Sequence, residues 1–267
     1  MTRKNVWFAP LMILFSLGFL ASSPKPMAYL QSPKSTGEKD AKIWYLGHSG
    51  WAIRTKNHLL IFDYQGHGLR IKDPVGTFGG ENRSLWVFVS HEHSDHFTPD
   101  IFEWEKVNRK TFYILGCDFK QKPNLISLRP REKKRIAGVE ILTIKSTDLG
   151  VGFLVKVDGL VIFHAGDFEN GKGIWDSYVR EVIFLKENTV HLDMAFIPVA
   201  RNKAEWWTHS NKRSFYLIRN LSPKVVFPMH ALGQEDFYKE FAKEAAKNNL
   251  RTIIRCAEKP GDSFIYP

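Results

Sequence analysis

From residue 42 onwards the chain alternates between short apolar runs and polar turns. The runs predict strands at about 42–46, 51–55, 58–63, 85–89, 111–115, 139–145, 151–157, 159–164, 193–198, 224–229 and 251–255. Several, such as Leu85-Trp86-Val87-Phe88-Val89, are apolar at every position, the pattern of a strand covered on both faces. Longer amphipathic stretches predict helices at about 99–107, 174–188, 210–220 and 235–248. In the last, Phe237, Phe241 and Ala245 recur at helical spacing, with Lys239, Lys243 and Lys247 on other faces. Strands in two runs, each followed by helices, predict an α/β (α+β) fold. Its layers are those of a four-layer αββα sandwich, spanning residues 41–267 as one domain.

The first forty residues do not belong to that pattern. Met1-Thr2-Arg3-Lys4 is basic, Val6 to Ala21 is almost unbroken apolar sequence, and Ser22-Ser23-Pro24 ends it. A run of about sixteen residues is short for a spanning helix and suits a signal peptide. Residues 1–28 are therefore expected to be a signal peptide or an uncleaved N-terminal anchor, and 29–40 a flexible lead-in. The expected location is exported, periplasmic or extracellular, or anchored to a membrane. The absence of a Cys after the apolar run excludes a bacterial lipoprotein anchor.

The chemistry concentrates just after the run 85–89, in Ser90-His91-Glu92-His93-Ser94-Asp95-His96. Imidazole nitrogen and carboxylate oxygen together suit zinc, iron or manganese. In extended backbone His91 and His93 point to one side and can reach one ion. A turn at Ser94 lets Asp95 and His96 face a second.

H-x-H-x-D-H after an apolar strand resembles the metallo-β-lactamase fold superfamily of metallohydrolases. Further segments fall in the order that family shows. They are Leu46-Gly47-His48-Ser49-Gly50, Leu59-Leu60-Ile61-Phe62-Asp63, Ile162-Phe163-His164-Ala165-Gly166-Asp167 and Val225-Val226-Phe227-Pro228-Met229-His230. Within the superfamily these words are most similar to the branch of ascorbate-6-phosphate lactonase and the N-acyl-phosphatidylethanolamine phospholipase D-like enzymes. The resemblance implies a four-layer sandwich of the metallo-β-lactamase type. It also implies two ions, Zn2+ with Mn2+ or Fe2+ as alternatives, held by His91, His93, Asp95, His96, Asp167 and His230. A metal-activated water would then hydrolyse a lactone, ester, amide or phosphoester. Asp95 would also orient the water, and His48 or His164 would supply the leaving group's proton. Asp63 is expected to orient a ligand His by accepting its far N–H.

One departure stands out. Most members of the family carry a third His for the first metal on the loop before the G-D strand, and no His lies between His96 and His164 here. Asp148, in Lys145-Ser146-Thr147-Asp148-Leu149-Gly150, is the residue of ligand type at that place. Either it ligates and hardens the site, or it is a turn residue and the site is weak or empty.

The remaining features change the picture little. His58, His67, His191 and His209 carry no supporting pattern, and Asp193, opening an apolar strand, is expected to serve structure. The formal charge of +10 is spread along the chain, and its densest run, Arg129 to Arg135, is expected in a solvated turn. No basic motif interleaved with aromatics is present, so no nucleic acid is expected. The expected partner is a small-molecule, anionic substrate, with membrane contact open through the N-terminal segment. The substrate loops would be Gln65–Glu81, Phe168–Trp175 and Ala200–His209, the last with Arg201, Lys203, Trp206 and Trp207. Cys117 and Cys256 lie in no metal motif and leave a disulfide open. Two other readings stand beside the hydrolase. One is a metal-binding protein of this fold without turnover; the other is a membrane-lipid phosphodiesterase.

Overall fold

A computed structural model describes residues 39–66, 70–119, 122–147, 149–168, 175–199, 210–231 and 233–267. The signal-peptide or anchor segment, the lead-in to residue 38, Asp148 and the loop 200–209 lie outside the described residues. Among the described residues, no helix is long and apolar enough to cross a membrane.

Two seven-stranded sheets form the centre. In the first, β1 (Ala41–Gly47), β2 (Gly50–Arg54) and β3 (His58–Phe62) run antiparallel. Then β4 (Ser84–Val89), β5 (Thr111–Leu115) and β6 (Leu125–Ser127) add parallel to β3. The second sheet repeats this plan. There β7 (Lys133–Ile136), β8 (Val139–Lys145), β9 (Val151–Val157) and β10 (Leu160–His164) form an antiparallel meander. Its parallel half is β11 (Met194–Pro198), β12 (Val225–Met229) and β13 (Ile253–Ile254). The last strand, β14 (Ser263–Tyr266), returns to the first sheet and pairs antiparallel with β1.

The fully apolar runs form strands because both of their faces are covered. Leu60, Phe62, Trp86 and Phe88 face the second sheet in one core. Their neighbours Leu59, Ile61, Leu85, Val87 and Val89 face outward into a second core. Phe78 of α1 (Pro74–Phe78) and Ile101, Phe102 and Trp104 of a 3₁₀ helix (Pro99–Lys106) cap that outer face. On the far side, α2 (Trp175–Asn188), α3 (Ser210–Leu221) and α4 (Asp236–Lys247) pack their apolar stripes into the core of the second sheet. The layers are those of the expected αββα sandwich.

Four details differ from expectation. The 99–107 segment is 3₁₀ rather than α, which aligns Ile101 and Trp104, three residues apart, on the sheet. The buried stripe of α4 is Tyr238, Phe241 and Ala245, with Phe237 only half-buried. The basic run is not all turn, since Lys133, Lys134 and Arg135 form the edge strand β7. Exposed edge strands tolerate and use charge to prevent edge-to-edge pairing, so no apolar alternation marks them. The 251–255 strand shortens to Ile253–Ile254 for the same edge position.

Two acidic side chains join distant parts. Asp158, in the β9–β10 turn, accepts hydrogen bonds from Thr55 Oγ1 (2.6 Å), Asn57 N (2.8 Å) and Asn57 Nδ2 (2.8 Å) in the β2–β3 turn. Asp193 is fully buried and accepts from Val161 N (2.9 Å), Lys224 Nζ (2.8 Å) and Tyr266 Oη (2.8 Å), which ties β10, β12 and β14 together. That geometry is structural. The opposite rim, where β1, β3, β4, β10 and β12 end, carries His48, Asp63, His91 to His96, Asp167 and His230.

Candidate metal centre

The rim is built around Ser90. Its carbonyl oxygen accepts from Val151 N (3.1 Å), so the first sheet reaches across to the second at this residue. A Cβ at Gly150 (φ +71) would lie 1.9 Å from Ser90 O, and one at Gly166 (φ +53) 2.8 Å from Ser90 Cβ. Only glycine permits that approach, and it takes those positive φ values without strain. The Ser90 N–H and hydroxyl donate to the two oxygens of Asp63, at 2.7 and 2.8 Å. With its proton given to Asp63, the hydroxyl accepts from His91 Nδ1 (3.0 Å). His96 Nδ1 donates to Asp63 Oδ2 (2.8 Å). Both imidazoles are thereby oriented with Nδ1 inward and Nε2 toward the rim.

Two groups of ligand-type side chains converge there, His91, His93 and Asp167 in one and His48, Asp95, His96 and His230 in the other. Within each group the ligand atoms lie within 4.8 Å of one another. Asp167 stands between the groups. Its Oδ2 lies 3.6 Å from His91 Nε2, while its Oδ1 lies 3.0 Å from His96 Nε2 and 3.3 Å from His230 Nε2. His96 Nε2 and Asp167 Oδ1 are both buried and, despite that proximity, neither makes a well-formed hydrogen bond. Donors that crowd to about 3.3 Å without bonding one another match the edges of a coordination shell whose bonds are about 2.0–2.1 Å. The residues fit divalent ions.

Electrostatics point the same way. Burial opposes a charge on His96, but Asp63 and Asp167 on its two nitrogens outweigh it and raise its pKa to about 10. Burial likewise opposes charge on Asp167, yet contacts from His230 and His96 hold its carboxyl well below the usual range. Burial lowers His48 to about 4 against the opposing contact with Asp95, whose Oδ2 lies 3.3 Å from His48 Nε2. That contact with His48 in turn holds Asp95 low.

A family model described as a β-lactamase superfamily domain matches residues 42–230, a span that begins in β1 and ends on His230. The chain belongs to the metallo-β-lactamase-fold superfamily of metallohydrolases. It is 27% identical over 233 residues to a UPF0173 metal-dependent hydrolase of Nanoarchaeum equitans, covering 80% of this chain and 95% of that one. A UPF0173 metal-dependent hydrolase of Bacillus velezensis is 25% identical over 210 residues, covering 71% of this chain and 84% of the relative. Among solved structures, the metallo hydrolase Igni18 of Ignicoccus hospitalis superposes with a TM-score of 0.62 at 18% identity, covering 85% of this chain and 99% of that one.

Against the metallo-β-lactamase-fold pattern, the structure brings together His91, His93, Asp95, His96, Asp167 and His230, and adds His48 to the second group. Asp148 lies outside the described residues. His164 joins neither group. Its ring is fully buried, stacked on Phe62 at 4.9 Å, with Nε2 donating to Ser49 O (2.9 Å) and Nδ1 accepting from Gly166 N (3.3 Å). It therefore supports the turn that carries His48 rather than joining either ligand group. His58 sits beside Asp158 and His191 beside Asp193, both away from the rim. The cysteines are free thiols, so no disulfide joins them. Ser90 and the glycines around it were not singled out in the sequence. Glycine directly after β5, before β9 and after β10 is the signal that pointed there.

Proposed function

We propose that the protein is a dinuclear hydrolase, with one ion held by His91, His93 and Asp167 and the other by Asp95, His96, His230 and Asp167. The observation that carries this is Asp167, one buried carboxylate with an oxygen toward each group. Divalent ions in these places would supply Lewis acidity and an activated water at neutral pH. The chain's own residues do the rest. Asp63 and Ser90 keep His96 and His91 aimed at the rim. His48 holds Asp95 from behind and, being neutral at pH 7, takes up a proton there and returns it to the leaving group. Asp95, partly exposed, orients the attacking water. The substrate class is a lactone, ester, amide or phosphoester. The N-terminal apolar run supports export of the chain, checked by the mass of the mature N-terminus.

The test is elemental analysis of the purified protein and its Asp148→Ala variant, beside hydrolysis of a lactone, ester, amide and phosphoester panel with and without chelator. Two equivalents of metal and chelator-sensitive turnover are expected. Loss of one equivalent in the variant would make Asp148 the missing ligand. One specific observation favours a second reading, metal binding without turnover. Among the described residues, the group of His91 and His93 has no third histidine. Bound metal with no hydrolysis of any member of the panel would establish that reading instead.

A further inference from the structure

Beside the metal centre, between the end of β5, the approach to β7 and the β8–β9 loop, lies a cavity of about 260 Å³ with walls from both sheets. Lys145 and Arg129 line it, with Leu128 and Leu149 as its apolar part and Cys117 and Asp118 at one end. Among the described residues, neither the Lys145 ammonium nor the Arg129 guanidinium is engaged in an ion pair. Among the described lining residues, two cations stand against one carboxylate. The Cys117 thiol, pushed up to about 11 by burial and by Glu92 and Asp118, adds no negative charge at neutral pH.

The wall is braced. Lys145 N donates to Glu181 Oε2 (3.1 Å), and buried Glu181 is held from its other side by Arg131 Nη2 (2.8 Å). The same wall touches the metal centre at two points. Gly150 packs so closely on His91 that a Cβ there would lie 2.7 Å from His91 Cβ, and Thr147 Oγ1 donates to Asp167 O (2.9 Å). The loop on which most superfamily members carry a histidine for the first metal therefore begins, in this chain, with a cation facing a cavity.

We propose that this cavity is a subsite for an anionic group of the substrate, a carboxylate or phosphate oxyanion. Lys145 and Arg129 are its counter-charges, and Leu128 and Leu149 contact the apolar segment joining that group to the scissile bond. The inference rests on the hydrolase reading and names the substrate class of that site. Two cations lining one cavity select a charged substrate over its neutral isostere by about ten-fold.

The test compares a neutral aryl ester with the same ester carrying a carboxylate, using the metal-loaded protein and its Lys145→Gln/Arg129→Gln double variant. The wild type is expected to favour the carboxylated ester in kcat/KM, and the double variant to lose about ten-fold of that preference, mostly through KM. Added salt should erode the wild-type preference in the same direction. An unchanged ratio with both esters turned over overturns the subsite and leaves the hydrolase reading standing. If the wild type hydrolyses neither ester, calorimetric titration with inorganic phosphate decides. One fewer equivalent bound by the double variant sustains the anion subsite without the hydrolase, and equal binding removes it.

Discussion

The two ligand groups on the rim share Asp167 but differ in almost everything else. The group of His96 and His230 is buried and braced. His96 is tied to Asp63, His230 N donates to His48 O (3.0 Å), and both His48 and His230 sit at positive φ, 52° and 73°. The group of His91 and His93 has one buried imidazole and one exposed, and no third histidine among the described residues. Strained backbone persists where surrounding structure over-determines it, and here it accompanies the buried group. The rim thus combines one ligand group that the fold prearranges with one left partly open to solvent.

The sharpest way to break the comparison is Asp167→Asn, which removes the shared carboxylate. Both ions are expected to be lost, with activity falling about a thousand-fold, the several kcal/mol that metal-borne charge stabilisation represents. Retention of one full equivalent would show that the groups do not depend on each other. Asp63→Asn should weaken most the ion of the buried group, whose His96 it holds directly, by about 10–100-fold, and the other ion less, through Ser90 and His91, read from competition with a chelator. Equal weakening of both would mean that Asp63 supports the rim as a whole. His93→Ala removes an exposed donor and should weaken only the other ion, by about ten-fold, with a melting temperature within about 2 °C of wild type.

Protonation separates the groups as well. Before metal is bound, His96 holds its proton up to about pH 10 between Asp63 and Asp167. Loading the buried group at pH 7 must therefore expel a proton, whereas His91, lowered by burial, has none to lose. Calorimetry in buffers of different ionisation enthalpy should show about one proton released for one of the two ions only.

The smallest effect on metal belongs to Asp158→Asn, far from the rim. Burial opposes its charge, but donors from Thr55, Asn57 and His58 bring the Asp158 pKa down to about 2 from 3.8. A carboxylate lowered on folding stabilises fully above its unfolded pKa and loses that contribution as pH falls through the folded value. The variant should be less stable by about 2 kcal/mol at pH 7, with the difference closing between pH 4 and about pH 2 while metal content stays unchanged. Thermal melts across that range would check it.

What could be read from the chain follows from these contrasts. The central strands were legible because burial on both faces makes them apolar throughout, and the donors after β4 were legible because they are adjacent in sequence. His164 was not, for the same reason that β10 was. A strand apolar on both sides has no period that says which face a histidine occupies, so only the three-dimensional register separates it from the metal side. The edges β6, β7 and β14 stayed hidden because they are only three or four residues long, and β7 is charged as well. The Asp158 tie joins turns 100 residues apart, a distance no local pattern spans. Ser90 is an ordinary residue in the sequence, and its central place comes from glycines on three other segments.

The placement of β14 bears on how the chain is made. The first sheet begins with residue 41 and is closed along β1 by Ser263 to Tyr266. During synthesis β1 therefore waits with an open edge until residues 263–266 have left the ribosome. The β1–β2 hairpin, which turns at His48 and Ser49, acquires that outer neighbour after all the other described strands have been made. A chain stopped before Ser263 keeps every candidate ligand on the rim and still has an unpaired edge at β1, where β14 belongs.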